Sequence, residues 1–270
     1  MTTFQALVLA FIQGFSEFIP VSSSAHLIIP GRLFGWPDQG LAFDVTLHVA
    51  TLLATVIYFR RDLLDMVKGS VQSVRIREMN SSARLAFLLI VAVIPTGIAG
   101  LAFHGAVEQY LRSDLVIACT TLVFGLLLWY SARWSKKHRP SRPSKGMTVK
   151  DALIIGTAQA ISIIPGTSRS GITLTAGLLE KFSPVFAAKF SFLLSIPTIA
   201  LAGGYEGLKL VMHGSDEPWD LLAIGFVTAF VTGLIFIKVF MNIIERIGVM
   251  PFVIYRMLLS AFLFLMIFAF

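Results

Sequence analysis

Six stretches of this sequence stay apolar for about the ~20 residues a helix needs to cross a ~30 Å hydrocarbon core: 41–59, 85–103, 115–132, 185–204, 221–237 and 251–270. Lipid offers no partner to a backbone amide, so a spanning segment must satisfy its own hydrogen bonds, which favours helices here. The composition agrees. Of 270 residues 56% are hydrophobic and 14% charged, with a mean hydropathy of +0.81, well away from the soluble norm. The expectation is an all-α polytopic membrane protein.

The net charge of +7 could suggest nucleic acid, but its placement argues otherwise. Six Lys/Arg fall from Arg60 to Arg84 and seven from Arg133 to Lys150, in short connections between apolar runs. That is the positive-inside pattern of cytoplasmic loops. Span 41–59 then runs inward, 85–103 outward and 115–132 inward. The 205–220 connection, with Glu206, Asp216, Glu217 and Asp220 against Lys209, suits the outer side, and Phe270 ends there. Lys189, Lys238 and Arg256 lie near inner span ends and are expected to snorkel. His104, His138 and His213 are expected in loops. Cys119 is the only cysteine, which excludes an intrachain disulfide or a cysteine metal cluster. The start, MTTFQALVLAFIQGFSEF, has no basic region and carries Glu17 where cleavage would fall, unlike a signal peptide.

Two further segments, 3–34 and 150–182, are apolar but broken by IPVSSSAH (19–26) and IPGTSRSG (164–171). Each half is too short to span. Non-helical backbone at membrane depth is tolerated only inside protein or against a wet cavity, so both read as re-entrant helical hairpins. The breaks resemble each other, Ile-Pro-x-Ser/Thr-Ser at 19–23 and at 164–168. One membrane domain, 1–270, therefore divides into two copies, 1–134 and 150–270, each a hairpin followed by three spans. Three crossings invert the second copy. The expected fold is six transmembrane helices plus two re-entrant hairpins in an inverted-topology repeat, an arrangement that places ligands near the midplane at broken helices.

Polar groups in lipid are costly and point to function. Gln13 and Glu17, four apart, share a helix face. Pro20 stops that helix. Ser22, Ser23 and Ser24 can cap the next one, with His26 on its first turns. A helix start offers free N–H groups to an anion such as phosphate. Thr167, Ser168 and Ser170 repeat the pattern with Arg169, whose planar fork matches phosphate oxygens. If the tips meet, a carboxylate and an amide carbonyl could hold Mg2+ or Ca2+ together with substrate phosphates. His26 could move a proton and a serine could attack. Plainer readings stand beside these: the serines as simple caps, Glu17 as a structural ion pair with Arg169, and His26 as an ordinary buried histidine. Asp44 and His48 read as support for the site or as a local helical pair.

QGFSEFIPVSSSAH (13–26) and PGTSRSGIT (165–173) together resemble the two motifs of the undecaprenyl-diphosphate phosphatases of the bacitracin-resistance family. The resemblance extends to FDVTLH (43–48) and PFVIYR (251–256) and covers nearly the whole chain. It implies a multi-pass enzyme of the bacterial inner membrane. Such an enzyme removes the terminal phosphate of undecaprenyl diphosphate, recycles the lipid carrier of wall synthesis and confers bacitracin resistance. It implies a divalent cation and a site facing the outer, periplasmic side. By position, the family's acidic motif falls on Gln13 and Glu17, where many members have glutamate first. Its serine and histidine fall on Ser23 and His26, and its phosphate-binding arginine on Arg169. Ser22, Ser168 and Thr173 match motif positions, and Ser24 stands where threonine is frequent. Serine and water both stay open as nucleophile, and homodimerisation stays open. A transporter or flippase for a polyprenyl phosphate lipid is the rival reading, since inverted repeats with broken helices also serve transport.

Overall fold

The computed structural model describes residues 1–37, 39–138, 142–143, 146–213 and 217–269, with backbone only at 104, 108, 209, 211, 213 and 269. Asp216, Arg139, Lys145 and Phe270, and the side chains of His104, Lys209 and His213, thus lie outside the described residues. In chain order the helices are α1 (Thr3–Ser16), α2 (Ser23–Phe34), α3 (Leu41–Tyr58), α4 (Arg60–Ile76), α5 (Ser81–Tyr110) and α6 (Asp114–His138). There follow α7 (Val149–Ala160), α8 (Arg169–Leu179), α9 (Pro184–His213), α10 (Trp219–Arg246) and α11 (Met250–Ala269).

Six of them, α3, α5, α6, α9, α10 and α11, are long and apolar enough to cross a membrane. The chain is an all-helical multi-pass membrane protein. Two spans overrun the expected bounds: α5 and α9 have 30 residues each, or about 45 Å of helix at ~1.5 Å per residue. Residues 104 and 213 are therefore helical, and His138 closes α6, rather than falling in loops.

The basic stretch after α3 is also a helix, not a loop. In α4, Met66 and Gly69 are buried, while Leu64, Val67, Val71 and Val74 make an exposed apolar flank beside Arg61, Lys68 and Arg75. Such a helix suits the membrane interface, where basic side chains reach headgroups. Its Asp62 carboxylate accepts from Lys189 Nζ at 2.5 Å, so Lys189 is tied to α4 rather than free to snorkel.

The two broken segments are pairs of short helices that fold back on each other, α1 on α2 and α7 on α8. Each pair begins with a capping box, Thr2 with Gln5 and Thr148 with Asp151, which satisfies backbone donors at the helix start. The breaks share a local geometry. Ser22 and Ser168 both cap the following helix, with φ/ψ of 75°/105° and 68°/111°. Positive φ in a non-glycine residue is rare, and at this ψ it is strained by roughly 1–3 kcal/mol. Each cap hydroxyl accepts from the amide three residues on, Ala25 or Gly171.

Packing between helices relies on small residues. A Cβ at Gly14 would collide with Thr232 and the Ala229 carbonyl of α10, and one at Gly156 with the Ala92 backbone of α5. Close backbone approach of this kind is how helices associate where lipid competes for apolar contact. The resulting neighbours are α1 on α10, α10 on α3, α3 on α9, α5 on α7 and α11 on α6. Helix α8 is buried continuously from Ser170 to Leu178, between α6, α7 and α9.

Candidate active site

Residues from α1, α2, α6, α8 and α11 meet where the two breaks touch. Arg169 Nη2 donates to Glu17 Oε1 at 3.0 Å, both side chains nearly buried. The other carboxylate oxygen, Glu17 Oε2, accepts from Gln13 Nε2 at 3.0 Å and from Ser23 Oγ at 3.5 Å. One carboxylate thus gathers the amide, the hydroxyl and the guanidinium that the sequence nominated. Ser23 and Arg169 stand at equivalent places, each the first helical residue after its capping serine. Both open a helix, where the first N–H groups have no intrahelical acceptor, the arrangement that favours an anion.

Two other motif residues join the tips. Ser24 Oγ accepts from the Gly166 amide at 3.0 Å and contacts Ser22 Oγ at 3.1 Å. Ser170 Oγ donates to the Ile19 carbonyl at 3.2 Å. Thr173 is one layer further out: its hydroxyl donates to the Arg169 carbonyl and shares a 2.6 Å contact with Ser191 Oγ. Ser24 is therefore a bridge between the tips, while Ser22 and Ser168 are the caps.

His26 lies against Tyr255. Its Nδ1 is 2.7 Å from the Ser22 carbonyl, so that nitrogen carries the proton, and Nε2 accepts from the Tyr255 hydroxyl at 2.7 Å. The two nitrogens are thereby occupied by the tip backbone and by α11. The Ser23 hydroxyl donates to Glu17.

Arg256 overturns its expected snorkelling. It is fully buried, 0% exposed. Nη1 donates to the carbonyls of Thr167 (3.1 Å) and Pro20 (3.4 Å), and Nη2 to those of Gly166 (3.0 Å) and Thr121 (3.2 Å). Broken helices leave carbonyl oxygens without amide partners, and one guanidinium supplies both tips with donors. Thr120 Oγ1 of α6 adds a 2.6 Å bond to the Pro165 carbonyl. Gly166, at φ 87°, lies so close to Ile117 and Thr120 that no side chain fits. Tyr255 and Arg256 were missed as site residues. The available signal was their adjacency in an apolar run, next to two breaks with carbonyls in need of donors.

Asp44 and His48 are a local pair at the head of α3. His48 Nδ1 bonds the Asp44 carbonyl at 2.8 Å, and the Asp44 carboxylate accepts from Gln39 Nε2 at 2.9 Å.

Two buried acceptors at the tips, Gln13 Oε1 and Thr167 Oγ1, have no hydrogen-bond partner among the described residues. Buried polar atoms left this way call for a ligand, an ion or water. Among the described residues no three His, Cys, Asp or Glu side chains cluster as a metal cage. Glu17 and Gln13 Oε1 offer one anionic and one neutral oxygen, which suits a hard cation whose remaining ligands are phosphate and water. Two guanidinium groups, Arg169 on Glu17 and Arg256 on the tip carbonyls, stand to one carboxylate here, a surplus of positive charge for an anionic substrate.

The chain is similar to known proteins over nearly its whole length. The family model described as bacitracin resistance protein BacA matches residues 6–262. A protein named undecaprenyl-diphosphatase from Teredinibacter turnerae is 49% identical over 98% of this chain and 99% of its own length. Relatives of the same name from Saccharophagus degradans and Campylobacter concisus are each 49% identical, over 99% and 95% of this chain. The chain belongs to the BacA bacitracin resistance protein family.

Proposed function

We propose that this protein hydrolyses undecaprenyl diphosphate to undecaprenyl phosphate and inorganic phosphate. This recycles the lipid carrier of wall synthesis and lowers sensitivity to bacitracin. The observation that carries the reading is the junction of Glu17, Arg169 and Ser23 at two facing helix starts inside a multi-pass membrane protein. Family membership and the name of the relatives point the same way.

The terminal phosphate is held by Arg169 and by the free amides that follow Ser22 and Ser168, with Thr167 and Ser170 near its path. Arg169 leaves Glu17 for the phosphate as substrate enters. Glu17, then free of its cation, takes the proton of Ser23 Oγ or of a water held beside it. The oxygen attacks the terminal phosphorus, the anhydride P–O bond breaks and undecaprenyl phosphate departs. Attack by Ser23 leaves a phosphoserine that water hydrolyses to phosphate. Charge building on the phosphoryl oxygens is offset by the Arg169 guanidinium. His26 locks the Ser22 carbonyl and hence the strained start of α2. A divalent cation, held by Glu17 and Gln13, would supply further charge neutralisation at the phosphates.

We read the chain as an inverted repeat, pairing α1 with α7, α2 with α8, α3 with α9, α5 with α10 and α6 with α11. Its lack of symmetry in packing supports a site open toward the outer face of the bacterial inner membrane. Helix α8 is wedged between neighbours, whereas α2 packs chiefly on α1 and α6 and buries only Ala25, His26 and Pro30. The loosely packed hairpin is the one on the side away from the basic segments.

The test is phosphate release from undecaprenyl diphosphate by purified protein in detergent, where no gradient exists to drive transport. Trapping a phosphoenzyme on Ser23 separates serine attack from attack by water.

A further inference from the structure

Four aromatic rings run from the outer surface of the helix assembly to His26. Phe11 of α1 is half exposed and meets Phe236 of α10 edge to face, ring centroids 6.0 Å apart. Phe236 meets Phe15 at 4.9 Å. Phe15 in turn reaches His26 at 5.9 Å and Tyr255 of α11 at 6.5 Å. Tyr255 is itself 39% exposed while hydrogen-bonded to the nearly buried His26.

The backbones behind these rings do not close on one another. Helix α11 packs chiefly on α6, while α10 packs on α1 and α3. The α1–α10 contact is shut by Gly14 against Thr232 and Ala229. What joins the α1–α10 pair to α11 at this level is ring against ring. Between these tight helix pairs, the contacts that lead to His26 are aromatic edges. This seam ends at the tip of α2, where the phosphate-binding amides begin.

Resting on the phosphatase reading, we propose that this seam holds the polyprenyl chain of the substrate, with Tyr255 and Phe15, beside His26, contacting its first isoprene units and Phe236 and Phe11 the units beyond them. The occupant is a chain tethered to a diphosphate because the seam is continuous with that headgroup's site. The four rings are apolar except for the Tyr255 hydroxyl, which His26 already engages. The rings present flat faces and edges to the planar, unsaturated isoprene unit. The seam thus selects for the length and unsaturation of the tail, while the tips select for the diphosphate.

The experiment compares wild type with Phe11→Ala and Phe236→Ala, two residues apart from the reacting groups. Phosphate release is measured on prenyl diphosphates of ten, fifteen and fifty-five carbons. Losing a ring contact raises KM for the longest substrate by about tenfold, while KM for the ten-carbon substrate stays within about twofold and kcat holds for both. Equal changes at every chain length, or none, overturn the proposal. If wild type releases phosphate from no prenyl diphosphate, the phosphatase reading itself has failed. Wild-type turnover with flat variants refutes the seam alone. A second measurement does not depend on variants folding: a prenyl diphosphate with a photoreactive group near its headgroup should label α1, α10 or α11 in the wild type. Labelling confined to other helices contradicts the assignment.

Discussion

Glu17 and Arg169 stand 152 positions apart in sequence, and a 3.0 Å hydrogen bond joins them between two helix breaks. A buried ion pair is weak evidence of stabilisation, because desolvation of both charges offsets much of the attraction. A site that must bind phosphate and move a proton has a use for both groups separately.

A double-variant cycle distinguishes the two roles. Glu17→Gln and Arg169→Leu are each expected to lower phosphate release by roughly a thousandfold or more. If the pair were structural, combining the two would restore much of the activity by removing both charges. The expected outcome is no restoration, read as kcat/KM on undecaprenyl diphosphate.

Arg256→Met leaves carbonyls at Pro20, Gly166, Thr167 and Thr121 without their donor. The expected loss is about 3–5 kcal/mol of stability, seen as a lower thermal midpoint in detergent. Arg256→Lys recovers only part of it, because an ammonium lacks the planar fork that reaches both tips.

Tyr255→Phe keeps the ring contacts but removes the donor to His26 Nε2. The expected result is a thermal midpoint close to wild type with kcat lowered about tenfold, a typical cost of losing one positioning hydrogen bond in an active site. An unchanged kcat would show that His26 needs no fixed orientation.

Asp151, at the start of α7, is held by Arg142 at 2.7 Å on both carboxylate oxygens and by Thr148. Burial pushes its carboxyl upward, but the bonds from Arg142 and Thr148 outweigh that and lower it from 3.8 to about 2. A depressed carboxyl pKa contributes stability above the unfolded value and loses it as pH falls through the folded one. The stability gap between wild type and Asp151→Asn is therefore full above about pH 4 and closes toward pH 2, measured as melting midpoint against pH.

The spans were legible because bilayer thickness sets a length that any reader of hydropathy can count. The breaks were legible because a cluster of hydroxyls follows each proline, unlike Pro95 and Pro197, which lie inside the continuous helices α5 and α9. The interior of the site was harder. Matching Ile-Pro at 19–20 and 164–165 aligns the hairpins one residue out of step with their caps, Ser22 and Ser168, since Gly166 lengthens the second tip. Arg256 read as a snorkelling cation because its span end is near in sequence. Its true partners are carbonyls freed by breaks over 80 residues away. Helix α4 was hidden by its charge, although Leu64, Val67, Val71 and Val74 already had helical spacing. His26 was nominated for its acid–base chemistry and its place in the motif, and its contact with Tyr255 of α11 was not legible in the sequence.

Removal and return of metal bears on the remaining expectation. Chelation should abolish turnover and added Mg2+ or Ca2+ should restore it, with Gln13→Ala raising the cation concentration needed by about tenfold.

The most direct measurement is phosphate release from undecaprenyl diphosphate by the purified protein in detergent, wild type beside Arg169→Ala. The account predicts steady multiple-turnover release by wild type and a loss of roughly a thousandfold or more in the variant. Absence of release by wild type, or equal release by both, would contradict it.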